Sequence, residues 1–197
     1  MKNSFIYPII FMALVTAVFI AVLAGLNFVT ADTITFNKQI ELQQKILYIF
    51  DILPEGGSEK DIERVFNDNV IEKEWGGVKG FALVQGGREK AYAVPISGAG
   101  LWGSITGYIG LSNDYTKIIG IEFVTQSETP GLGGRISENS YKNQYRGIDI
   151  SGKTDNFIIS SPQPGSNIDA IAGATQTSAA VVKIVNENLK AFLEEVE

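Results

Sequence analysis

The stretch Ala91–Val124, AYAVPISGAGLWGSITGYIGLSNDYTKIIGIEFV, decides the fold. It holds three short runs rich in β-branched and aromatic residues, which are Ala91–Ile96, Ile105–Ile109 and Ile118–Val124. Ser-Gly and Asn-Asp pairs, which are typical of turns, separate these runs. A fourth run, Gly80–Val84, precedes them and is set off by a Gly-Gly pair. Short strands joined by turns in this way predict an antiparallel sheet.

Two helices are predicted before the sheet. Apolar residues recur at close to helical spacing over residues 37–50, and Pro54 ends this helix. Ser58 with Asp61 three positions later resembles a capping box, although Asp stands where Glu or Gln is usual. We expect the second helix to end before Trp75.

The clearest element beyond the sheet is an amphipathic helix from about Thr177 to Val196. Residues 134–146 are compatible with a short helix, and Phe157–Ser160 is predicted to form a further short strand. This order of elements predicts an α+β domain, with helices packed on a mainly antiparallel sheet. At 197 residues the chain has room for one such domain, since cores rarely divide below roughly 250 residues.

The N-terminal part of the chain is predicted to be a transmembrane helix. No charged side chain occurs between Asn3 and Ala31. The apolar run Phe5–Phe28 exceeds the roughly 20 residues that a helix needs to cross a bilayer. The alternative is a cleaved signal peptide, because Val29–Ala31 resembles a small-residue cleavage site. Secretory apolar cores usually span only ~7–15 residues, and this length favours a retained anchor.

Charges at the two ends of the apolar run predict its orientation. Lys2 and the terminal amine precede the run and Asp32 follows it, so the positive-inside bias places the N-terminus in the cytoplasm. The predicted division is therefore a cytoplasmic N-terminus and transmembrane helix over residues 1–31, followed by an extracytoplasmic domain over residues 32–197. Both the anchor and the signal-peptide interpretations export the domain.

The composition excludes several kinds of chemistry. Of the 16 Lys and Arg residues all but Lys2 follow the apolar run, which leaves 15 basic against 22 acidic residues in the domain. This balance and the lack of a basic patch argue against nucleic-acid binding. The chain contains no Cys and no His, so thiolate clusters, disulfides and imidazole ligands or bases are excluded. No catalytic residue and no metal ligand is predicted, and redox chemistry would have to come from an organic cofactor.

Three glycine-containing segments are candidates for ligand binding. Ser97–Gly103 has three glycines that would let the backbone approach a ligand, and Trp102 offers a stacking surface. Glu128–Gly134 could present backbone N–H groups to a heterocycle or an anion. Asp169–Thr175 leads into the last helix, whose N-terminus favours a phosphate.

Each segment also has a purely structural interpretation. The first two can be ordinary turns, with Trp102 filling the core. In the third, Thr175 or Thr177 can be a simple helix N-cap, which is common for threonine.

The three segments together resemble the FMN-binding domains found in the G subunit of Rnf complexes and the C subunit of the sodium-pumping NADH:quinone reductase. Ala172-Gly-Ala-Thr175 preceded by Asp169 is similar to the family's flavinylation motif, which is usually Ser-Gly-Ala-Thr. Glu128–Gly133 and Gly100–Gly103 resemble two further signatures of the family, in the same order. An N-terminal membrane helix is another family feature, so the resemblance covers nearly the whole chain.

The resemblance implies a covalent cofactor. In the family a flavin transferase cleaves FAD and leaves FMN as a phosphoester on the last threonine of the motif, here Thr175. The positions that match the signatures assign the isoalloxazine contacts to Leu101, Trp102, Glu128, Thr129 and Leu132, and the phosphate neighbours to Gly173 and Ala174. The chain departs from the pattern where Ala172 replaces the usual Ser and where Gln126-Ser127 stands in place of a frequent His. Neither change removes the acceptor hydroxyl.

The function that this resemblance implies is electron transfer between neighbouring subunits of an ion-translocating membrane oxidoreductase. The short chain favours the Rnf ferredoxin:NAD oxidoreductase, whereas the Gly-Leu-Trp signature and Pro95–Gly98 favour the quinone reductase. The rival from another class is a membrane-tethered binding module without a redox role. A hydrolase that uses Thr or Ser is less favoured, because the chain has no His base.

Overall fold

The computed structural model describes residues 6–196, and the two units into which the chain divides are Met1–Glu41 and Leu42–Glu197. Lys2, on which the predicted orientation depends, lies outside the described residues. The first unit is helical from Ile6 onward, and the apolar stretch within it is long enough to cross a membrane. This helix, α1, spans Ile6–Ile49. The helix predicted over residues 37–50 is therefore the last part of one continuous helix, because no Pro or Gly occurs between Asn27 and Ile49 to interrupt it.

The second unit is built around a five-stranded antiparallel meander. Its strands pair in chain order, and the sheet confirms the four predicted strands and the α+β class. The strands are β1 Val70–Trp75, β2 Val78–Gln85, β3 Arg88–Ala99, β4 Ser104–Ser112 and β5 Ile118–Thr125. The helices of this unit, besides the end of α1, are α2 Glu59–Asn69, α3 Asn139–Lys142 and α4 Thr175–Val196, with 3-10 turns at Gly133–Ser137 and Asn143–Tyr145.

The core lies between the sheet and α4. Val181, Val185 and Leu189 of α4 belong to the same buried cluster as Ile105 and Ile109 of β4. This arrangement follows from the apolar stripe on α4 and from the alternation of buried and exposed residues along the strands. The α4 helix is therefore fixed along most of its length, which also fixes the place where it begins.

Arg146 holds the C-terminal end of α1 through the carbonyl oxygens of Tyr48 and Ile49 and through the Tyr48 ring. The guanidinium of Arg146 donates hydrogen bonds to the carbonyl oxygens of Tyr48, of Ile49 at 3.2 Å and of Ile119 at 2.6 Å. It also lies 4.8 Å from the centroid of the Tyr48 ring. A cation at this position satisfies helix-terminal carbonyls and opposes the helix dipole.

The strand β1 was not predicted from the sequence. The second helix ends before Trp75 as expected, but it ends at Asn69, where β1 begins and pairs with β2 across the Gly76-Gly77 turn. The capping box of Ser58 and Asp61 that opens this helix is present. The residues after Asn69 form a short polar segment, in which the spacing of apolar residues fits a helix as well as a strand at the edge of a sheet. Pairing with β2 makes this segment a strand.

The strand predicted over Phe157–Ser160 is wrong, because this segment does not form a strand. Its N–H groups bond to side chains instead of a neighbouring strand, those of Ile158 to Asn186 Oδ1 and of Ile159 to Asn167 Oδ1. Only Ser160 makes an isolated bridge, to Ile168. Ile158 is buried and Ile159 half-buried, and asparagine side chains rather than a neighbouring strand accept hydrogen bonds from their N–H groups.

Candidate functional site

Two of the glycine-containing segments and the first turn of α4, which follows the third, meet at the carboxylate of Glu128. The Glu128 side chain is buried, with the residue only 4% exposed. Its Oε1 atom accepts hydrogen bonds from the backbone N–H of Leu101 at 2.8 Å and from that of Trp102 at 3.1 Å. The Oε2 atom accepts a hydrogen bond of 2.6 Å from the hydroxyl of Thr177 at the start of α4. One carboxylate thus joins the β3–β4 turn, the loop after β5 and the last helix.

Two glycines make room for this carboxylate. A Cβ atom on Gly100 would lie 2.5 Å from Glu128 Oε1, and one on Gly133 would lie 2.5 Å from Thr177 Oγ1 and 2.9 Å from Glu128 Oε2. Any larger residue at either position would displace the hydrogen-bonded groups. The glycines are therefore required by the close approach of this carboxylate and of the Thr177 hydroxyl, which is a different reason from the predicted approach of a ligand.

Three hydroxyl-bearing residues lie within four positions at the start of α4, and only one is accessible. Thr175 is exposed, whereas Thr177 is 1% exposed and Ser178 fully buried. The hydroxyl of Thr177 donates to Glu128, and the Ser178 hydroxyl oxygen accepts a hydrogen bond from the Ile171 N–H at 2.9 Å. The structure therefore distinguishes Thr175 from its neighbours by exposure and by hydrogen bonding.

Thr175 also stands at the open end of α4. The first hydrogen bond of this helix runs from the Ser178 N–H to the Ala174 carbonyl at 3.0 Å, which leaves Thr175 in the first turn. Free N–H groups and the positive end of the helix dipole favour an anion such as a phosphate at this place. Gly173 takes a positive φ of 79°, so the chain turns sharply immediately before the helix.

An apolar surface lies on the segments that converge here. Leu101 and Leu132 are each 46% exposed, and Trp102 is 69% exposed, so Trp102 does not fill the core. The side chain of Leu132 reaches the Asp169–Thr175 segment, since its Cδ2 atom lies 3.3 Å from where a Cβ atom on Gly173 would be. Thr129 is exposed and Ala174 is buried. Exposed leucine and tryptophan side chains beside an anion-favouring helix end match a ligand with a flat apolar part and a phosphate.

A cleft of about 230 Å³ lies against residues 169–172. Its lining includes Arg135, Glu138, Tyr141, Gln144, Asp169 and Ala172. Gln144 fixes the start of the motif, because its Oε1 atom accepts a 2.6 Å hydrogen bond from the Asp169 N–H. Burial raises the pKa of Tyr141 to about 12, so this phenol is neutral at physiological pH. Arg135, Tyr141 and Gln144 line this cleft but belong to none of the three glycine-containing segments, so the sequence analysis did not single them out.

Comparison with known proteins shows what this chain is similar to. Residues 100–190, which include the second and third segments and Gly100–Gly103 of the first, match the sequence profile of the FMN-binding domain. The apolar side chains and the accessible Thr175 at the start of α4 are consistent with this cofactor, which combines a flat ring with a phosphate.

The relatives of this chain are subunits of two kinds of ion-translocating enzyme. The chain is 28% identical over 166 residues to the G subunit of the proton-translocating ferredoxin:NAD(+) oxidoreductase complex of Clostridium ljungdahlii, a match that covers 84% of this chain and 80% of that protein. It is 35% identical over 124 residues to the C subunit of the Na(+)-translocating NADH-quinone reductase of Chlamydia pneumoniae, which covers 52% of this chain. The chain spans only 39% of the length of that second relative.

Two solved structures of the quinone reductase C subunit share the fold of this chain. The structure of the quinone reductase C subunit from Parabacteroides distasonis superposes with a TM-score of 0.65 at 25% identity, covering 81% of this chain and 93% of the other. The Shewanella oneidensis NqrC structure gives a TM-score of 0.66 at 18% identity, covering 80% of this chain and 98% of the other. The predicted α+β architecture is therefore confirmed.

Proposed function

We propose that this chain carries FMN as a phosphoester on the hydroxyl of Thr175 and transfers electrons within an ion-translocating membrane oxidoreductase. The observation that carries the proposal is the position of Thr175. It is the exposed hydroxyl at the start of α4, beside the apolar surface of Leu101, Trp102 and Leu132. Residues 100–190, which include all of these positions, match the sequence profile of a domain that binds FMN.

The remaining positions divide between the two ends of the cofactor. Gly173 and Ala174 would flank the phosphate, because they adjoin Thr175 at the N-terminus of α4. Leu101, Trp102, Thr129 and Leu132 would lie against the isoalloxazine, with Glu128 behind them. When bound, FMN supplies one-electron or two-electron transfer. The side chains supply placement and surroundings, since the chain has no Cys and no His to carry redox chemistry.

The attachment requires an enzyme that acts in trans. A threonine hydroxyl is a poor nucleophile unless a base activates it, and this chain offers no His for that role. A flavin transferase would present FAD and remove the hydroxyl proton. The Thr175 oxygen would then form a bond to the phosphorus on the FMN side, and the pyrophosphate bond would break with AMP as the leaving group. The chain's own contribution is an exposed acceptor hydroxyl at the start of α4.

The complex that we favour is the Rnf type, in which electrons would pass between ferredoxin and NAD. The match to the G subunit from Clostridium ljungdahlii extends over 84% of this chain and 80% of that protein, so the two have similar extents. The alternative is the place of the C subunit in a Na(+)-translocating quinone reductase, which the 35% identity over 124 residues favours. In both, α1 would be a single-pass anchor in the cell membrane, with its N-terminus in the cytoplasm and the partner subunits beside it.

The test is whether flavin stays with the denatured polypeptide. The full-length chain is produced with and without a flavin transferase, purified in detergent and denatured in strong denaturant. We expect flavin fluorescence that co-migrates with the polypeptide only when the transferase is present, and a flavin phosphate on the peptide that contains Thr175. A colourless protein from cells that contain an active transferase would support the rival interpretation as a membrane-tethered binding module.

A further inference from the structure

The resemblance assigns Glu128 to the ring contacts, but its carboxylate points into the protein. Both oxygens accept hydrogen bonds, Oε1 from the two backbone N–H groups and Oε2 from the Thr177 hydroxyl. An ionised carboxylate acts only as an acceptor, and three donors satisfy most of its capacity. The residue is 4% exposed, whereas Trp102 beside it is 69% exposed.

Glu128 binds the backbone of Leu101 and Trp102, whose side chains form part of the apolar surface. The N–H groups of Leu101 and Trp102 point toward the carboxylate, and their side chains are exposed. A turn between two strands is anchored at few points, and loops of this kind move more than the elements they connect. The loop of Glu128 is itself fixed, since the Glu128 N–H donates a 2.7 Å hydrogen bond to Gln126 Oε1.

We propose that Glu128 is a positioning residue, whose carboxylate locks the backbone of Leu101 and Trp102 to Thr177 of α4 and so fixes the surface against which the flavin ring lies. This inference rests on the proposed attachment at Thr175. The same helix turn carries the attachment point and the anchor, because Thr177 is two residues beyond Thr175. The distance between the tethered phosphate and the Trp102 surface is therefore set through one carboxylate.

The proposal predicts a specific order among variants. Glu128→Gln keeps an amide oxygen for the two N–H groups, and its NH₂ group can donate to the Thr177 oxygen, so the lock is largely retained. Glu128→Ala removes every one of these bonds. Thr177→Val keeps the carboxylate and removes one anchor. Glu187→Gln is the matched control, since this carboxylate lies elsewhere on α4 and is 66% exposed.

Two readouts on the full-length chain in detergent test the proposal. The first is hydrogen exchange in the peptide that spans residues 100–103, which needs no flavin. We expect exchange at the Leu101 and Trp102 amides to be at least about tenfold faster in Glu128→Ala, close to wild type in Glu128→Gln and intermediate in Thr177→Val. The second is the midpoint potential of the covalently bound flavin, for which we expect the same order of shifts, with Glu187→Gln unchanged in both.

The outcomes separate this inference from the proposed function. Lack of flavin on Thr175 in the wild-type chain, despite an active transferase, would overturn the proposed function. Unchanged exchange in Glu128→Ala would overturn the positioning role, whatever the flavin content. Equal shifts of potential in Glu128→Gln and Glu128→Ala, with exchange unchanged in the glutamine variant, would show that the flavin responds to the charge itself, and this too would overturn the inference.

Discussion

Thr175 and Thr177 are two residues apart in the chain, and their hydroxyl groups lie in opposite environments. Thr175 is exposed at the start of α4, while Thr177 is 1% exposed and donates a 2.6 Å hydrogen bond to Glu128. Two groups of the same chemistry are thus made unequal by the tertiary structure. This difference explains how a transferase could modify one threonine of the pair and leave the other.

The first prediction follows from this inequality. Thr175→Ala removes the accessible hydroxyl and should abolish covalent flavin without moving it to Thr177, while the fold is retained. Thr175→Ser is the matched control, since it keeps a hydroxyl and should still accept flavin. Mass spectrometry of peptides from protein made with the transferase is the measurement. Flavin found on Thr177 in the alanine variant would contradict the assignment of Thr175 as the attachment residue.

The second prediction concerns the side of the membrane on which the domain lies. Lys2 before the apolar run and Asp32 after it indicate that residues 32–197 are extracytoplasmic. Protease added to intact spheroplasts should therefore digest the domain and leave the anchor, which a tag at the N-terminus would report. A cytoplasmic protein of the same cells serves as the control for lysis. Protection of the domain until the cells are broken would refute the orientation.

The third prediction concerns Trp102, the most exposed aromatic side chain among the site residues, at 69%. A large apolar side chain left in solvent can be covered by a bound ring, and the surroundings of a flavin tune its potential. Trp102→Ala should shift the flavin midpoint potential while the covalent FMN remains attached. Trp102→Phe keeps an aromatic face and should shift it less. If both variants titrate like the wild type, Trp102 does not contact the ring.

The fourth prediction uses the close packing around Gly133. Gly133→Ala would place a methyl group 2.5 Å from Thr177 Oγ1 and 2.9 Å from Glu128 Oε2, which breaks or stretches their hydrogen bond. We expect the free energy of unfolding of the domain to fall by about 1–3 kcal/mol.

Gly134→Ala is the neighbouring control for this substitution. Its added methyl group would meet its nearest atom, the Thr129 carbonyl oxygen, at 3.3 Å, so a smaller loss is expected. Denaturant unfolding of the two variants, compared with wild type, is the measurement. Equal stability of the two would show that the site relaxes around an added methyl group.

The fifth prediction is a pH dependence of stability from two buried tyrosines. Burial raises the pKa of Tyr141 to about 12, and it raises the pKa of Tyr145 well above the usual value near 10. The unfolded chain releases these protons near pH 10, whereas the folded domain retains them to higher pH. The folded state then binds more protons, so the free energy of unfolding should fall as the pH rises from about 10 to about 12.

The variant Tyr141→Phe isolates this effect, since it removes one of the two titrating groups. The loss of stability between pH 10 and pH 12 should become shallower than in wild type, measured by denaturant unfolding at a series of pH values. A constant offset at lower pH is expected as well, because the 3.0 Å hydrogen bond between the two phenols is lost. An unchanged slope would show that Tyr141 titrates alike in both states.

Local pattern alone was enough to predict most of the elements. Alternation and turn pairs between Ala91 and Val124 specify an antiparallel sheet because strand period and turn chemistry are local properties. The amphipathic stripe of the last helix is local in the same sense, and its predicted start at Thr177 is within two residues of the observed Thr175. Exposure of Trp102, by contrast, did not follow from pattern, since a tryptophan in a glycine-rich turn can equally fill a core.

Sequence patterns were enough to predict four of the five strands, the last helix, the apolar run and the three segments that resemble a known family. The burial of Glu128 and Thr177, and the exposure of Thr175, became visible only in the tertiary structure. The reason is physical. Glu128 lies 26 residues from Trp102 and 49 from Thr177, and no local periodicity encodes contacts at such separations. These contacts form when α4 packs on the sheet, which brings Thr177 and the backbone of Leu101 and Trp102 to the Glu128 carboxylate.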